Sequence, residues 1–411
     1  MFPVDRRREP VLVGYVRTPF GRADKKKGHL RNQRSDDLAI HLLKALVERT
    51  GVAPKDVDEV ILGAVELVGE QAHPARNVGY LADFPVEVTG LTVERACVTP
   101  MSAIHIAAMS VVSNVGDCYI AGGLDSMTHL AIPVMRADMD IFEVINEPGT
   151  LMSTQNPNPK LFDKVNPMEL TGGVAAERMA VLYDLSREEM DRWAHQSHVR
   201  AVRAHEEGRF QDEIVPIEGH LDDGTPFLMD RDQCPRPGSS YEKIASLPTP
   251  FQFEGGRVTA AAASGQADGA AVVMVMSREN AERRGLTPLA TIRGIAVAGC
   301  DPTNLVYSAV PASKKVLAKT GIRADQLDLI ECNEAFACAP IMVMKELGFT
   351  DAERVNPNGG GCALGHPVGA TGARLVGHLA LELKRRGGRY GLATICGGFG
   401  QGGATLIEVE S

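Results

Sequence analysis

A cysteine, Cys97, stands between a predicted strand and a predicted helix, in the stretch VERACVTP (residues 93–100). The positive end of a helix and its free backbone N–H groups favour a thiolate over a thiol. Pro100 fits a first helical turn, where its missing N–H costs little. The spacing therefore predicts a reactive thiol, although this motif by itself is more typical of a packed core cysteine.

Two polar motifs follow later in the chain. NEAF (residues 333–336) comes directly after a predicted strand, and polar residues that end a strand of an α/β sheet commonly lie at the ligand edge. Asn333 and Glu334 fit a helix N-cap equally well. His366 stands in a glycine-rich loop, NPNGGGCALGHPVGATG (residues 356–372), whose backbone must be tightly folded or closely approached. A single histidine is more often structural, but its place just before a predicted helix favours a functional role.

A second cysteine, Cys396, opens the motif CGGFGQGG (residues 396–403) after another predicted strand. Its glycines free backbone N–H groups to point at a ligand, as a site for a developing oxyanion requires. A dinucleotide-binding unit does not fit here, because only one more strand follows before Ser411 and no helix completes a βαβ unit.

The elements that carry these motifs occur twice. Residues 44–66 and 314–336 both predict an amphipathic helix closed by a glycine, a short linker and an apolar strand. Residues 101–113 and 370–386 are both helix-like, and each leads through a turn to a strand, CYIAGG (residues 118–123) or LATICGG (residues 392–398). Strands that alternate with helices predict two similar α/β halves, each with a mixed sheet.

A segment of different character separates the halves. It begins with loop-like sequence rich in proline and asparagine, and Ser186 with Glu189 predicts a capping box that opens a helix. An insertion of this length in a repeated scaffold commonly builds a substrate site. We predict an N-terminal half from residues 1–123 and 260–276, an inserted loop domain from 124–259 that binds substrate and makes oligomer contacts, and a C-terminal half from 277–411.

Composition restricts the class of protein. The 411 residues are 44% hydrophobic and carry a net charge of -9, which argues against nucleic acid and anionic membrane surfaces as partners. The apolar runs are too short to span a bilayer. The eight cysteines form no zinc-ligand pattern, and we expect no disulfides. The N-terminal residues lack a secretory signal and the last residues lack a peroxisomal tripeptide, so we expect a cytoplasmic enzyme.

Taken together and in this order, the motifs resemble the thiolase family. The resemblance runs nearly end to end, from RTPFG (residues 17–21) through GRFQDEIVPI (208–217), NEAF and GHPVGATGAR (365–374) to the C-terminal glycine motif. It implies the thiolase fold: two α/β halves with mixed five-stranded sheets, layered αβαβα, with an inserted loop domain. NEAF with a second cysteine separates the chain from decarboxylating ketosynthases and from the sterol-carrier branch.

The resemblance also assigns roles to the residues singled out above. It implies that Cys97 is the nucleophile that accepts an acyl group, that His366 receives its proton, and that Cys396 is the general acid and base. One oxyanion would be bound by His366 and a water held by Asn333. The other would be bound by the backbone N–H groups of Cys97 and Gly398.

The implied substrates are acyl-CoA and CoA, with no metal and no other cofactor. By similarity, Arg236 would lie near the adenine and phosphate end of CoA and Ser264 near the pantetheine, although a solvated loop residue explains Arg236 about as well. The implied activity is cleavage of 3-oxoacyl-CoA by CoA, and the chain is most similar to degradative 3-ketoacyl-CoA thiolases of fatty-acid β-oxidation.

Two alternatives stay open from the sequence. One is a biosynthetic acetyl-CoA acetyltransferase that makes acetoacetyl-CoA, and the other is an assembly subunit of a fatty-acid oxidation complex. The intact set of Cys97, Asn333, His366 and Cys396 argues against the second. We expect a homodimer or homotetramer, with a hydratase/dehydrogenase as a candidate partner.

Overall fold

The structure is a computed structural model that describes residues 5–130, 138–139, 158–161 and 163–410. Part of the predicted inserted segment, including residues 140–157, lies outside the described residues. Among the described residues, no helix is long and apolar enough to cross a membrane.

The strands of the described part form one large sheet and one small hairpin. Their bounds are β1 Pro10–Arg17, β2 Gly21–Arg22, β3 Glu59–Gly63, β4 Thr89–Val93, β5 Cys118–Ser126, β6 Ile217–His220, β7 Pro226–Met229, β8 Ala267–Ser277, β9 Ala290–Gly299, β10 Leu329–Cys332, β11 Tyr390–Gly397 and β12 Gln401–Glu408.

The α-helices of the same part alternate with these strands. Their bounds are α1 Ser35–Thr50, α2 Pro74–Leu81, α3 Thr99–Val112, α4 Met127–Leu130, α5 Gly172–Leu182, α6 Arg187–Glu206, α7 Tyr241–Ala245, α8 Arg278–Arg283, α9 Ala309–Thr320, α10 Cys338–Leu347, α11 Gly361–Leu364 and α12 Val368–Arg386.

The large sheet consists of two mixed half-sheets. The first has the order β4-β3-β5-β8-β1 and the second the order β10-β11-β12-β9. In each half two antiparallel pairings are followed by parallel pairing, with β3 and β10 in equivalent places. The second half has four strands rather than the expected five, and an isolated parallel bridge from Ile330 to Val355 takes the place of the fifth. Within the described residues, the strands of the two half-sheets are joined by a short antiparallel pairing of β1 with β9, at Val11 and Leu12.

Three hydrophobic cores define the layers. In the first, Leu42 of α1 and Val78 of α2 cover one face of the first half-sheet. In the second, Met101 of α3 and Leu375 of α12 share a cluster with strands of both half-sheets, so these two helices form the central layer. In the third, α9 and α10 cover the outer face of the second half-sheet. The result is the predicted αβαβα layering.

The predicted duplication is visible in the helix ends. Gly51 after α1 and Gly321 after α9 both adopt left-handed backbone, with φ of 67° and 71°, which terminates a helix without steric cost. In the inserted segment, α6 begins at the predicted capping box of Ser186 and Glu189. Buried alanines of α5 and α6 pack against the C-terminal half.

Candidate active site

The two central helices bring the predicted site residues to one place. Cys97 stands two residues before α3, and His366 stands two residues before α12. The first turns of these helices lie in contact, because a Cβ added at Gly372 of α12 would lie 2.7 Å from the Met101 backbone nitrogen. Asn333 follows β10, and Cys396 is the penultimate residue of the neighbouring strand β11. The predicted catalytic residues thus come from the ends of adjacent elements.

Cys97 lies in a strained turn. The preceding Ala96 has φ of 45°, a left-handed conformation that costs a residue with a Cβ free energy. The turn is held by hydrogen bonds from the Val98 and Thr99 N–H groups to the carbonyls of Arg95 and Ala96, both 3.0 Å. The turn leaves Cys97 partly exposed as a whole residue, while its sulfur is desolvated at the start of the central helix.

Two backbone N–H groups converge on the Cys97 thiol, those of Gly398 and of Cys97 itself. Both lower the pKa of the thiol, but desolvation of the sulfur outweighs them and raises the pKa to about 11. The expectation of a stabilised thiolate at this helix end is therefore wrong: burial dominates over the helix terminus. At neutral pH Cys97 is a thiol that needs a base.

The loop that supplies the Gly398 N–H is itself strained. Phe399 has φ of 57° and is 57% exposed, an unusual conformation for a bulky residue. Gly397 and Gly398 allow close approach, since added Cβ atoms would lie 2.9 Å from Val98 Cγ2 and 3.2 Å from Ala96 Cβ. Two left-handed residues other than glycine thus flank the contact between Gly398 and Cys97.

His366 is buried and held from both ring nitrogens. Its Nδ1 lies 2.6 Å from Thr371 Oγ1, and the Thr371 hydroxyl donates to the Pro367 carbonyl at 2.9 Å. The hydroxyl therefore accepts from Nδ1–H, which leaves Nε2 as an acceptor facing Asn333 Nδ2 at 3.3 Å. Burial lowers the pKa of His366 to about 4, so the ring is neutral and can accept a proton at Nε2.

Asn333 is buried beside His366, with its backbone N–H bonded to the Thr394 carbonyl at 2.9 Å. Its Oδ1 has no hydrogen-bond partner among the described residues. Because a buried, unpaired amide oxygen costs free energy, it indicates a place for a bound water or substrate group.

The neighbouring Glu334 has a different position. Its buried carboxylate accepts hydrogen bonds from Trp193 Nε1 at 2.9 Å and Ser197 Oγ at 2.7 Å, both on α6. It also accepts from Asn356 Nδ2 at 2.8 Å and from the Cys362 N–H at 3.1 Å, both in the glycine-rich loop. Of the two polar residues of NEAF, Asn333 lies at the site, and Glu334 holds the loop that contains His366 in place through these hydrogen bonds.

Cys396 is fully buried next to the site. Its pKa is raised well above the ordinary value, first by burial and then by the nearby Cys97, which places the two sulfurs within electrostatic reach. Cys396 is therefore a thiol at neutral pH, as Cys97 is. Burial without a cationic neighbour favours the thiol.

The two predicted CoA contacts differ in their surroundings. The Ser264 N–H donates to the Ala335 carbonyl and the His366 N–H to the Gly265 carbonyl, both at 2.9 Å, so Ser264 lies directly beside the site. Arg236 is exposed, and its backbone N–H donates to His198 Nδ1 on α6 at 3.3 Å. The loop of Arg236 reaches the site through Cys234, whose Sγ would lie 3.1 Å from a Cβ at Gly365.

Two residues that sequence reasoning missed belong to this site. Thr371 fixes the His366 ring, and its signal was its place in the first turn of the helix after His366. Asp125, at the end of β5, accepts a hydrogen bond from the Gly369 N–H of α12 and one from Gln71 Nε2 at 2.9 Å. Burial raises the pKa of Asp125 to about 7. No sequence signal distinguished it from an ordinary residue at a strand end.

No group of three or more His, Cys, Asp or Glu side chains is arranged to hold a metal ion within the described ranges. The polar groups that converge on Cys97 and His366 are backbone N–H groups, an amide and a hydroxyl, all of which suit an organic ligand with oxygen acceptors.

Comparisons with known proteins agree with this architecture. Residues 10–279 match the family "Thiolase, N-terminal domain" and residues 286–409 match "Thiolase, C-terminal domain". The chain is 40% identical to a 3-ketoacyl-CoA thiolase of Pseudoalteromonas translucida, over 97% of this chain and 98% of that one.

Two solved structures have the same fold. The Bacillus anthracis acetyl-CoA acetyltransferase aligns with a TM-score of 0.84 at 38% identity, over 97% of this chain and 98% of that chain. The human mitochondrial 3-ketoacyl-CoA thiolase in complex with CoA aligns with a TM-score of 0.84 at 33% identity, over 98% and 99%. The chain belongs to the thiolase family.

Proposed function

We propose that this enzyme is a 3-ketoacyl-CoA thiolase, which cleaves a 3-oxoacyl-CoA with CoA to give an acyl-CoA shortened by two carbons and acetyl-CoA. The observation that carries the proposal is the close packing of the Gly397–Gly398 turn against the Cys97 turn, which brings the Gly398 and Cys97 N–H groups near the Cys97 thiol. Donors in that position bind the oxyanion of a tetrahedral intermediate formed on Cys97. The relatives named 3-ketoacyl-CoA thiolase, similar over nearly the whole chain, support the same activity over the two alternatives.

In the first half-reaction, Cys97 Sγ attacks C3 of the substrate and its proton passes to His366 Nε2. A neutral thiol beside a neutral imidazole suits this order, because the proton leaves as the bond forms. The C2–C3 bond then breaks, which leaves the acyl group on Cys97 and acetyl-CoA as an enolate. Cys396 donates its proton to C2 of the enolate.

In the second half-reaction, the Cys396 thiolate takes the proton of incoming CoA, and the CoA sulfur attacks the acyl-Cys97 thioester. The tetrahedral intermediate collapses to acyl-CoA, and His366 returns its proton to Cys97. Proton count and charge are restored after each cycle. We assign the enolate oxygen to His366 and a water on Asn333 Oδ1, the buried oxygen that has no partner in the described part of the chain.

CoA is a substrate in this scheme, and the steps above require no metal and no further cofactor. Ser264 would contact the pantetheine arm, an assignment supported by its place beside Ala335 and His366. Arg236 would contact the adenine and phosphate end from the inserted segment (residues 124–259), which we propose as the CoA-binding domain. Its exposure leaves the guanidinium accessible to a phosphate.

An apolar surface beside Asn333 favours substrates with a longer acyl chain. The Phe336 ring packs edge to face with Phe251, at 5.8 Å between ring centroids. A Cβ at Gly172 would lie 3.0 Å from Phe336 Cε2, so the glycine allows α5 and the Phe336 ring to pack closely. An acyl chain that packs on these aromatic rings gains about 0.8 kcal/mol of binding for each buried methylene, which favours medium-chain over four-carbon substrates.

We further propose a cytoplasmic homo-oligomer, either a dimer or a tetramer, that acts in fatty-acid β-oxidation with a hydratase/dehydrogenase as a candidate partner. Support for self-association comes from the outermost strand β4. Leu91 on this strand is 37% exposed, and Val86 and Tyr80 nearby are 63% and 62% exposed. An apolar sheet edge of this kind is a ready surface for pairing with a second copy.

The proposal is tested by CoA-dependent cleavage of acetoacetyl-CoA and 3-oxooctanoyl-CoA, together with the intact mass of the enzyme after incubation with acyl-CoA. We expect Cys97→Ala to form no acyl adduct. We expect Cys396→Ala to keep the adduct, while its turnover falls by roughly 10²–10⁴, the usual worth of acid–base catalysis. An adduct on Cys97→Ala, or wild-type turnover by Cys396→Ala, would contradict the assigned roles.

A further inference from the structure

A buried arginine, Arg374, connects three parts of the chain that carry the active site. It lies on α12, one turn after Thr371. Its Nη1 donates to Glu331 Oε2 at 2.6 Å, and its Nη2 donates to the Gly359 carbonyl at 2.9 Å. The side chains of both ionised residues are almost completely buried, at 3% and 1% exposure.

Each of the three connections leads to a residue that we place in the reaction. Glu331 lies on β10, two residues before Asn333, and this strand is fixed by its pairing with β11. Gly359 lies in the glycine-rich loop that leads to His366, and a Cβ there would lie 2.7 Å from the Ser197 carbonyl oxygen. Thr371, on the same helix, holds His366 Nδ1. Arg374 therefore links β10, which leads to Asn333, with the glycine-rich loop and α12, which hold His366.

The pair is not arranged for maximal stability. Arg374 Nε and Glu331 Oε1 are both buried without a hydrogen-bond partner within the residues that the structure covers. Such unpaired atoms cost free energy, and apolar side chains of similar volume commonly replace a buried ion pair without loss of stability. A guanidinium binds two oxygens in a defined plane and so fixes the relative orientation of the groups that carry them. Apolar side chains do not fix such an orientation.

We infer that Arg374 is a positioning residue, which sets the separation of Asn333 Nδ2 and His366 Nε2 through Glu331 and Gly359. The inference rests on the proposed function, in which His366 and a water held by Asn333 Oδ1 bind the enolate oxygen, so that the relative position of the two side chains matters. It goes beyond that function because Arg374 contacts neither Asn333 nor His366 in the hydrogen-bond network described above. The enolate step depends on both groups, whereas attack by Cys97 depends on His366 alone. Loss of Arg374 therefore affects the enolate step more than acylation.

The test uses Arg374→Met alone and together with Glu331→Leu, so that no charge stays buried without its partner in the double variant. Arg278→Met is the matched control. Arg278 is also buried and ion-paired, with Glu9 at 2.8 Å and Glu410 at 2.5 Å, but it lies at the opposite end of the strands. Three readouts are compared: thermal midpoint, acylation of Cys97 by intact mass, and exchange of the acetyl-CoA methyl protons with deuterium from solvent, which requires the enolate.

We expect the double variant to regain most of the thermal midpoint that Arg374→Met loses, with KM changed by less than about threefold. We expect its proton exchange to stay reduced by roughly 10²-fold, the usual cost of misplacing a reacting group by about 1 Å, while acylation falls much less. Arg278→Met should lose stability only. Arg374→Lys, which keeps the charge but cannot hold two oxygens in one plane, should be intermediate.

Wild-type exchange by the double variant, or an equal fall in exchange and acylation, would overturn the inference. A crystal structure of the double variant gives a readout that does not depend on activity. We expect the Asn333–His366 separation to change from 3.3 Å, and an unchanged separation also overturns the inference. A wild-type enzyme with neither cleavage nor exchange would refute the proposed function instead, which keeps the two failures distinct.

Discussion

At the scale of single residues, the resting protonation state of the site follows from burial. Burial raises the pKa of Cys97 to about 11 and lowers that of His366 to about 4. Between these values both groups are uncharged, so the free enzyme holds a thiol beside an imidazole rather than a thiolate beside an imidazolium. This state protects the thiol from unwanted electrophiles until a substrate carbonyl lies within reach.

This protonation state predicts a pH dependence of alkylation. Below its pKa the thiolate fraction of Cys97 rises about tenfold for each pH unit. The rate of carbamidomethylation by iodoacetamide should therefore rise steadily from pH 6.5 to 9 without levelling off. The rate is followed by the mass of the peptide that contains Cys97, with the same peptide of Cys97→Ala as the control. A plateau below pH 8 would show a stabilised thiolate and contradict the assignment.

The sequence predicted which residues meet at the site better than it predicted their chemistry. Cys97, Asn333, His366 and Cys396 were found because glycine-rich turns and strand ends leave a local signal. The direction of the Cys97 pKa shift was missed, because a helix terminus is visible in a sequence while the packing around a sulfur is not. Glu334 resembled a site residue for the same reason: its partners on α6 are about 140 positions away.

At the scale of elements, the contact between α3 and α12 controls how far Cys97 lies from His366. The two helices meet at Gly372, where a Cβ would lie 2.7 Å from the Met101 nitrogen and 3.1 Å from Pro100 Cγ. Since neither a backbone nitrogen nor a proline ring can move aside, any side chain here separates the first turns of both helices. The glycine is required by this close approach.

Gly372→Ala should therefore destabilise the fold by about 1–3 kcal/mol, the usual cost of overpacking, and lower turnover further by moving Cys97. Gly299→Ala on β9 is the matched control, because nothing lies within 4 Å of a Cβ there and its effect should stay below about 1 kcal/mol. Urea denaturation and thiolysis rates measure the two effects. Similar behaviour of both variants would show that the helices can separate without cost.

The order of helices and strands could largely be predicted from the sequence, but the pairing of the strands in the sheet could not. Repeated helices with glycine ends identified the two halves, because periodicity and caps are local. The joining of β1 to β9 and the reduction of a fifth strand to a bridge at Val355 depend on contacts between distant segments. Such contacts have no local signature.

At the scale of the whole molecule, Arg17 fastens the inserted segment to the N-terminal half. Its side chain is fully buried between Glu213 and Asp232, with Nε 2.7 Å from Glu213 Oε1 and Nη1 2.7 Å from Asp232 Oδ1. Both carboxylates have pKa values held below the ordinary range, by Arg17 together with His378 or His205, despite burial that acts in the opposite direction. The network therefore keeps one guanidinium between two buried charges.

Arg17→Met should cost about 3–5 kcal/mol, because it removes the guanidinium that two buried carboxylates share. Arg192→Met is the matched control: its pair with Glu188 is 2.7 Å apart but more than half exposed, and the expected loss is below about 1 kcal/mol. Equilibrium unfolding in urea compares the variants. Equal losses would show that burial does not decide the contribution of these pairs.

The strand order also determines when this chain can fold during synthesis. β1 pairs with β8, so the first strand has no partner until residue 277 has been made, about 14–55 s at about 5–20 residues per second. β12 follows β11 in the sequence, yet it lies between β9 and β11, so the two strands beside it cannot be joined in the second half-sheet until residues 401–408 have been made. Because Cys396 and Gly398 directly precede this strand, the nascent chain stays catalytically inert until residues 396–408 have been made.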